Sequence, residues 1–247
     1  DAIRCLKKMT DKVHITYSTS DRYLEVFRRN PYIDELVPMS RLDYDGNFDI
    51  VANLCRYSEM SDKRTIWNRC DIFAEGIGID IPIDDHEVKI YLTIEEIDGG
   101  RKVMLDHCSG KVEGRKWIGI QVDGSTAQRT WPLDYCKELT GKLVRSGYNV
   151  TLLGNYRVNW EGPNVSDLTD NNRFGLGCRE LATVIANLDL IVTPDSAMYH
   201  IAEAIGVRSI PIFSSVLPDL RVRYYKRSYP MWHGESCGPC WDAGCAD

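Results

Sequence analysis

The sequence has no apolar run long enough to cross a bilayer, which takes about 20 consecutive apolar residues. Its first residues carry no basic-then-apolar leader pattern. Basic residues are in the minority: 30 Lys and Arg stand against 36 Asp and Glu, for a formal net charge of −6. That balance counts against a partner held through backbone phosphates, and no nucleic-acid partner is expected. Internal repeats and low-complexity tracts are also missing, so no long span reads as disordered. The chain starts at Asp1 without Met, directly in a helix-like pattern, as expected of a cut chain.

What is present suits one large or two small α/β domains: 247 residues, 43% of them apolar, enough to bury a core. The nine cysteines are many. Most stand singly in apolar patterns (Cys55, Cys70, Cys136), as expected of reduced, buried thiols in a cytoplasmic protein. Two N-x-[ST] triplets begin at Asn149 and Asn164. They read as chance, since the first lies in a predicted strand.

In the first half the patterns predict a helix over 2–9, a strand over 13–17, and a helix over 21–29 stopped by Asn30-Pro31. Strands over 33–37 and 49–54 follow, then helices over 65–78 and 93–106. Asp43-Tyr44-Asp45 has the D-x-D spacing of a metal-binding signature in another class of sugar transferase. Asp-Gly and Asn, however, make 43–47 a turn between strands. In the second half strands are predicted over 117–122, 149–153, 190–193 and 209–213. Helices lie between them, one opened by Trp131-Pro132 and one over 179–188. Alternating strand and helix predicts parallel sheets, in domains 1–112 and 113–247.

The stretch over 190–215 organises the second half. A short apolar strand ends at Pro194, Asp195 or Ser196 caps a helix, and Gly206 ends it. Ala197, Ile201, Ala204 and Ile205 share one helical face, and Ser196, His200 and Glu203 the other. Such a turn lies at the carboxyl end of a strand, where open α/β sheets bind ligands, and helix-start amides favour an anion. Two other strand-end loops could meet it: Gly124-Ser125-Thr126 with Arg129, and Gly154-Asn155. Glycine admits close approach, and hydroxyls and Arg129 suit phosphate oxygens. Together the loops point to a nucleotide-diphosphate site, and for the turn alone an ordinary capped βαβ unit with a surface histidine stands equally open.

These motifs resemble the heptosyltransferase-like glycosyltransferases of family 9. The match runs through Asp195-Ser196-Ala197-Met198-Tyr199-His200 with Ala202, Ala204 and Gly206, and through Ile118-Gly119-Ile120, Gly124-Ser125-Thr126 and Arg129-Thr130-Trp131-Pro132. Leu152-Leu153-Gly154 continues it. Ile3 to Lys8 and Asn30 to Glu35 match less tightly, so the resemblance spans nearly the whole chain.

The resemblance implies a GT-B architecture of two Rossmann-like domains, the N-terminal one lacking its first strand. It implies an inverting enzyme that moves a sugar, heptose among the candidates, from a nucleotide-diphospho-sugar to a glycan or lipid-linked acceptor. This would belong to lipopolysaccharide biosynthesis, with peripheral membrane contact and no metal needed for catalysis. Asp195 would hold sugar hydroxyls. Ser125, Thr126, Arg129, Gly154 and the helix start at Ser196 and Ala197 would hold the diphosphate, supported by His200. The family's base, in a Gly-Asp motif, would precede residue 1; Asp1 stands too late for it, and Asp21 has only its place after a strand in its favour. The alternatives are a non-catalytic binding or assembly module lacking that base, and another GT-B class such as a sugar-nucleotide epimerase. Last, His233, Cys237, Cys240 and Cys245 have spacing that suits a structural zinc, or form a reduced cysteine loop.

Overall fold

The computed structural model describes residues 1–10, 12–43, 46, 48–60, 65–110, 112–160, 162–170 and 175–234. The chain forms two compact units, Asp1–Tyr91 with Asp219–Tyr225, and Leu92–Pro218 with Lys226–Asp247.

The first unit runs α1 (Ala2–Met9), β1 (Thr16–Thr19), α2 (Leu24–Phe27), β2 (Glu35–Pro38), α3 (Leu54–Met60) and α4 (Arg69–Gly76). Its sheet pairs β1 with β2 in parallel, from Thr16 opposite Glu35 to Thr19 opposite Pro38. A small core gathers Ala2, Cys5, Ala74 and Ile79, flanked by Leu6, Ile77 and Ile81. The strand expected over 49–54 does not form. Asn53 starts a helix instead: its side-chain oxygen accepts the Arg56 amide at 2.9 Å and its carbonyl the Tyr57 amide at 3.0 Å. Capping outweighed the apolar run. The helix expected over 65–78 likewise begins only at Arg69, where the Asn68 side chain accepts the Cys70 amide. At 43–47 the Gly46 amide donates to the Asp43 carbonyl, as in a turn; Tyr44, Asp45 and Asn47 lie outside the described residues.

The second unit holds α5 (Ile94–Asp106), β3 (Trp117–Gln121), α6 (Leu133–Arg145), β4 (Asn149–Gly154), β5 (Val165–Thr169), α7 (Cys178–Ile185), β6 (Leu190–Pro194), α8 (Ala197–Ile205), β7 (Arg208–Phe213) and β8 (Met231–Trp232). A further short helix, α9 (Asp219–Val222), belongs to the first unit. The six strands are all parallel, in the order β5-β4-β3-β6-β7-β8. Counted from the first strand of the unit this is 3-2-1-4-5-6, the order of the doubly wound dinucleotide-binding fold. Every residue of β4 is buried, as are β3 and β6 beyond their first residue, which explains their near-continuous apolar runs.

The boundary between units falls after Tyr91 rather than after 112, because α5 packs on α7. Arg179 clamps Glu96 with two bonds, Nε to Oε1 at 2.7 Å and Nη2 to Oε2 at 2.9 Å. The Asn187 amide donates to the Ile97 carbonyl at 2.8 Å. Thr93 and Glu96 close a reciprocal capping box at the start of α5. Strand β5 has no counterpart in the expectations above.

Asn149 and Asn164 are both buried, and the Asn164 side chain donates to that of Asn149 at 3.1 Å, so neither is presented for a glycan. Cys5, Cys55, Cys70, Cys108, Cys136 and Cys178 are free thiols, and burial pushes Cys70 and Cys136 up to about 11. Among the described residues no helix is long and apolar enough to cross a membrane.

Candidate functional site

The central pair of the second sheet, β3 and β6, are the first and fourth strands of the unit. Their carboxyl ends form the topological switch point of this strand order, where loops diverge and leave a crevice. Polar side chains close in there. Gln121 ends β3 and is buried; its Oε1 accepts from the hydroxyls of both Thr193 and Ser196 at 2.5 Å, and its Nε2 donates to the Asp123 carbonyl at 2.7 Å. Ser196 is the N-cap of α8, and its oxygen accepts the Met198 amide at 3.3 Å. The start of α8 is thereby fixed against the end of β3. At its other end the helix stops on Gly206 in the left-handed conformation (φ 85°).

Asp195 lies just before this cap and is 7% exposed. Its Oδ1 accepts the hydroxyl of fully buried Tyr199 at 2.9 Å, one helical turn on. Its Oδ2 faces Arg129 Nε at 3.6 Å. The Arg129 side chain stays 33% exposed, so the pair is closed on the carboxylate side and open on the guanidinium side. Tyr199 is itself wedged by Phe213, ring centroids 5.6 Å apart and edge-on. His200 follows on α8, half-buried, with its ring 4.1 Å from that of Tyr199.

Arg129 reaches Asp195 from a tightly wound loop. Ala127–Arg129 is a single 3-10 turn, the Arg129 amide donates to the Thr126 carbonyl, and Thr130 Oγ1 donates to the same carbonyl at 2.9 Å. Gly124 lies so close under this turn that a Cβ there would meet the Arg129 carbonyl oxygen at 2.3 Å. Ser125 is exposed and Thr126 half-buried in the loop that carries Arg129.

The loop after β4 is tied in by Asp123. This buried carboxylate accepts the Asn155 amide at 2.9 and 3.1 Å and the Asn155 side-chain amide at 3.2 Å. Burial raises its pKa, partly opposed by the Asn155 bonds. Gly154 sits against it: a Cβ would lie 2.1 Å from Asp123 Oδ1. What approaches Gly154 closely in the structure is thus a carboxylate of the protein itself.

The expected donor-site residues therefore lie at the carboxyl ends of β3, β4 and β6, Gly154 as the last residue of β4 and the others in the loops or helix turn that follow β3 and β6, and Arg129 and Asp195 meet directly. Sequence reasoning missed Gln121, Thr193 and Tyr199 as the groups that position Ser196 and Asp195. The signals were available: Gln121 and Thr193 are polar at the ends of buried strands, and Tyr199 stands four residues after Asp195 on one helical face. At the expected zinc site His233 is exposed, while Cys237, Cys240 and Cys245 lie outside the described residues.

Solved structures share this fold. A family 9 glycosyltransferase from Veillonella parvula matches with TM-score 0.69 and 18% identity, over 93% of this chain and 80% of that one. The Escherichia coli ADP-heptose lipopolysaccharide heptosyltransferase II matches with TM-score 0.74 and 14% identity, over 96% and 86%. The E. coli heptosyltransferase WaaC, solved with ADP-2-deoxy-2-fluoro heptose, matches with TM-score 0.58 and 11% identity, over 93% and 87%. Likeness at these identities establishes the two-domain GT-B type of fold, and no curated protein sequence matches the chain. The family model for glycosyltransferase family 9 (heptosyltransferase) matches residues 42–247. The chain belongs to glycosyltransferase family 9.

Proposed function

We propose that this chain binds a nucleotide-diphospho-sugar at the switch point of its second sheet and takes part in inverting transfer of the sugar to a glycan or lipid-linked acceptor. The observation that carries the reading is the Arg129–Asp195 pair beside the capped start of α8. A diphosphate leaving group needs positive charge and free amides; a sugar needs a fixed carboxylate as acceptor for its hydroxyls. The first-turn amides of α8 supply the former together with Ser125, Thr126 and the open guanidinium of Arg129. Asp195, pinned by Tyr199, supplies the latter. His200 and Gly154 border the same edge. Stabilising the departing diphosphate in this way requires no metal at this site.

The two E. coli relatives named above handle ADP-heptose or its analogue, which makes ADP-heptose the first donor to try, with lipopolysaccharide biosynthesis on the cytoplasmic face of a membrane as the setting. Calorimetric titration with ADP-, UDP- and GDP-sugars tests the reading. One donor should bind, and Asp195→Ala and Arg129→Ala should each weaken it about tenfold or more, the loss of about 1.4 kcal/mol. Unchanged affinity in both folded variants would reject the site.

A further inference from the structure

The first unit contains a cluster that the donor site does not use. One oxygen or nitrogen or sulfur atom each from Asp1, Cys70 and His86 lie within 4.8 Å of one another. Three separate segments deliver them: the N-cap of α1, the first turn of α4, and the loop after Ile83. We propose that these three side chains bind a zinc ion, with a water completing a tetrahedral site, and that the ion staples the first unit together.

The donor set fits the metal. Thiolate, imidazole and carboxylate are the zinc ligands of proteins, and at bond lengths of about 2.0–2.3 Å tetrahedral ligand atoms stand about 3.3–3.7 Å apart. Asp1 Oδ2 and His86 Nδ1 are now 2.8 Å apart, and a small opening would admit the ion between them. Carboxylate and thiolate together balance its two charges.

Each ligand is also held by outer groups of the kind metal sites use. Asp1 Oδ1 accepts the Glu87 amide at 3.3 Å and faces Arg4 Nη2 at 3.4 Å, leaving Oδ2 for the ion. Arg4 is itself engaged by Asp85, Nη1 to Oδ1 at 2.8 Å. With Nδ1 on the metal, His86 Nε2 carries the proton and faces Asp71 Oδ1 at 3.8 Å. Asp71 in turn accepts the Tyr224 hydroxyl at 2.9 Å on both oxygens. The Tyr224 ring stacks flat on His86, centroids 3.6 Å apart and planes 7° from parallel. The Cys70 amide donates to Asn68 Oδ1 at 2.9 Å, and Asn68 Nδ2 donates to the Asp219 carbonyl at 3.0 Å. Asp71 thus stands on the Nε2 side of the ring, 3.8 Å away, where a slight approach would let it accept the proton that a metal on Nδ1 leaves on Nε2.

The unit also has reason to need such a tie. Its sheet has two short strands among the described residues, and its small core cluster lies beside the proposed site, sharing α1 and α4 with it. Small cores of this kind are commonly supplemented by a metal.

The experiment uses the full chain with Cys237, Cys240 and Cys245 all changed to Ser, so that the tail thiols cannot contribute. Chelator-stripped protein is titrated with Co²⁺, followed by thiolate-to-cobalt absorption, and zinc content is measured on unstripped protein. One equivalent of metal with a thiolate band is expected. Cys70→Ser should abolish the band, His86→Gln should weaken binding at least about tenfold, and Asp71→Asn should weaken it about 10-fold with the band retained. X-ray absorption on the zinc form should show one sulfur and lighter ligands. No stoichiometric metal, a folded His86→Gln that binds as tightly as its parent, or two or more sulfurs around the ion would each overturn the proposal; the absorption measurement decides even where a variant does not fold.

Discussion

Tyr199→Phe removes one hydroxyl and leaves the surrounding packing in place. The ring is fully buried and meets Phe213 edge-on at 5.6 Å, a contact that phenylalanine keeps. What disappears is the 2.9 Å bond to Asp195 Oδ1. A hydrogen bond to a charged acceptor contributes about 1.5–3 kcal/mol, and losing the buried hydroxyl offsets part of that, so stability should fall by about 1–2 kcal/mol. The effect on the donor is of similar size for a separate reason. With Oδ1 released, the carboxylate can turn toward Arg129, whose Nε already stands 3.6 Å from Oδ2. A rotated Asp195 offers its oxygens in the wrong direction for sugar hydroxyls and draws Arg129 from the diphosphate. A cost of about 1.4 kcal/mol makes donor affinity about tenfold weaker. Urea denaturation and calorimetric titration with whichever nucleotide-sugar the parent protein binds measure the two effects. A folded Tyr199→Phe protein that matches the parent in both would refute the claim that Tyr199 positions Asp195.

Two further substitutions probe the strand-end loops. Gly154→Ala should destabilise by about 1–3 kcal/mol, as overpacking does, because the new Cβ would lie 2.1 Å from Asp123 Oδ1 and 2.6 Å from Val122 Cγ2; a melting curve equal to the parent's would contradict this. Asp123→Asn should change how stability depends on pH. Burial raises the Asp123 pKa in the folded protein, so its contribution is fully present below the ordinary carboxylate value and is lost as pH rises through the raised value. The parent's stability relative to Asp123→Asn should therefore decline between acid and neutral pH, and a difference independent of pH would refute the assignment.

The second unit was legible in the sequence because its strands are buried on both faces and so read as apolar runs. That holds for β3, β4 and β6, and the turn chemistry of Pro194-Asp195-Ser196 located the start of α8 to within one residue, with Ser196 rather than Asp195 the cap. Strand β5 was hidden because its buried positions include Ser166 and Thr169, whose polarity masks the pattern. The side on which α5 packs was not readable locally: it depends on Glu96 and Arg179, 83 residues apart. In the first unit the apolar run around Ile50 and Val51 suggested a strand, yet both residues are exposed, and a single capping asparagine set the local structure. Where burial is slight, local hydrogen bonding decides, and apolar pattern misleads.

The polar network between β3 and β6 follows from the topology. Right-handed crossovers in this strand order send the helices after the first and fourth strands to opposite faces of the sheet, so nothing of the backbone covers the gap between their carboxyl ends. An apolar lining would fill that gap without fixing the two loops relative to one another. Gln121 fixes them: one carboxamide takes hydroxyl protons from Thr193 and Ser196 on the β6 side and donates to Asp123 on its own. Buried amides and hydroxyls are costly unless paired, and here each has a partner, so the penalty falls on any displacement of the loops rather than on the native state. The same bonds that hold α8 in place therefore set where Asp195 and the helix-start amides point before any donor arrives.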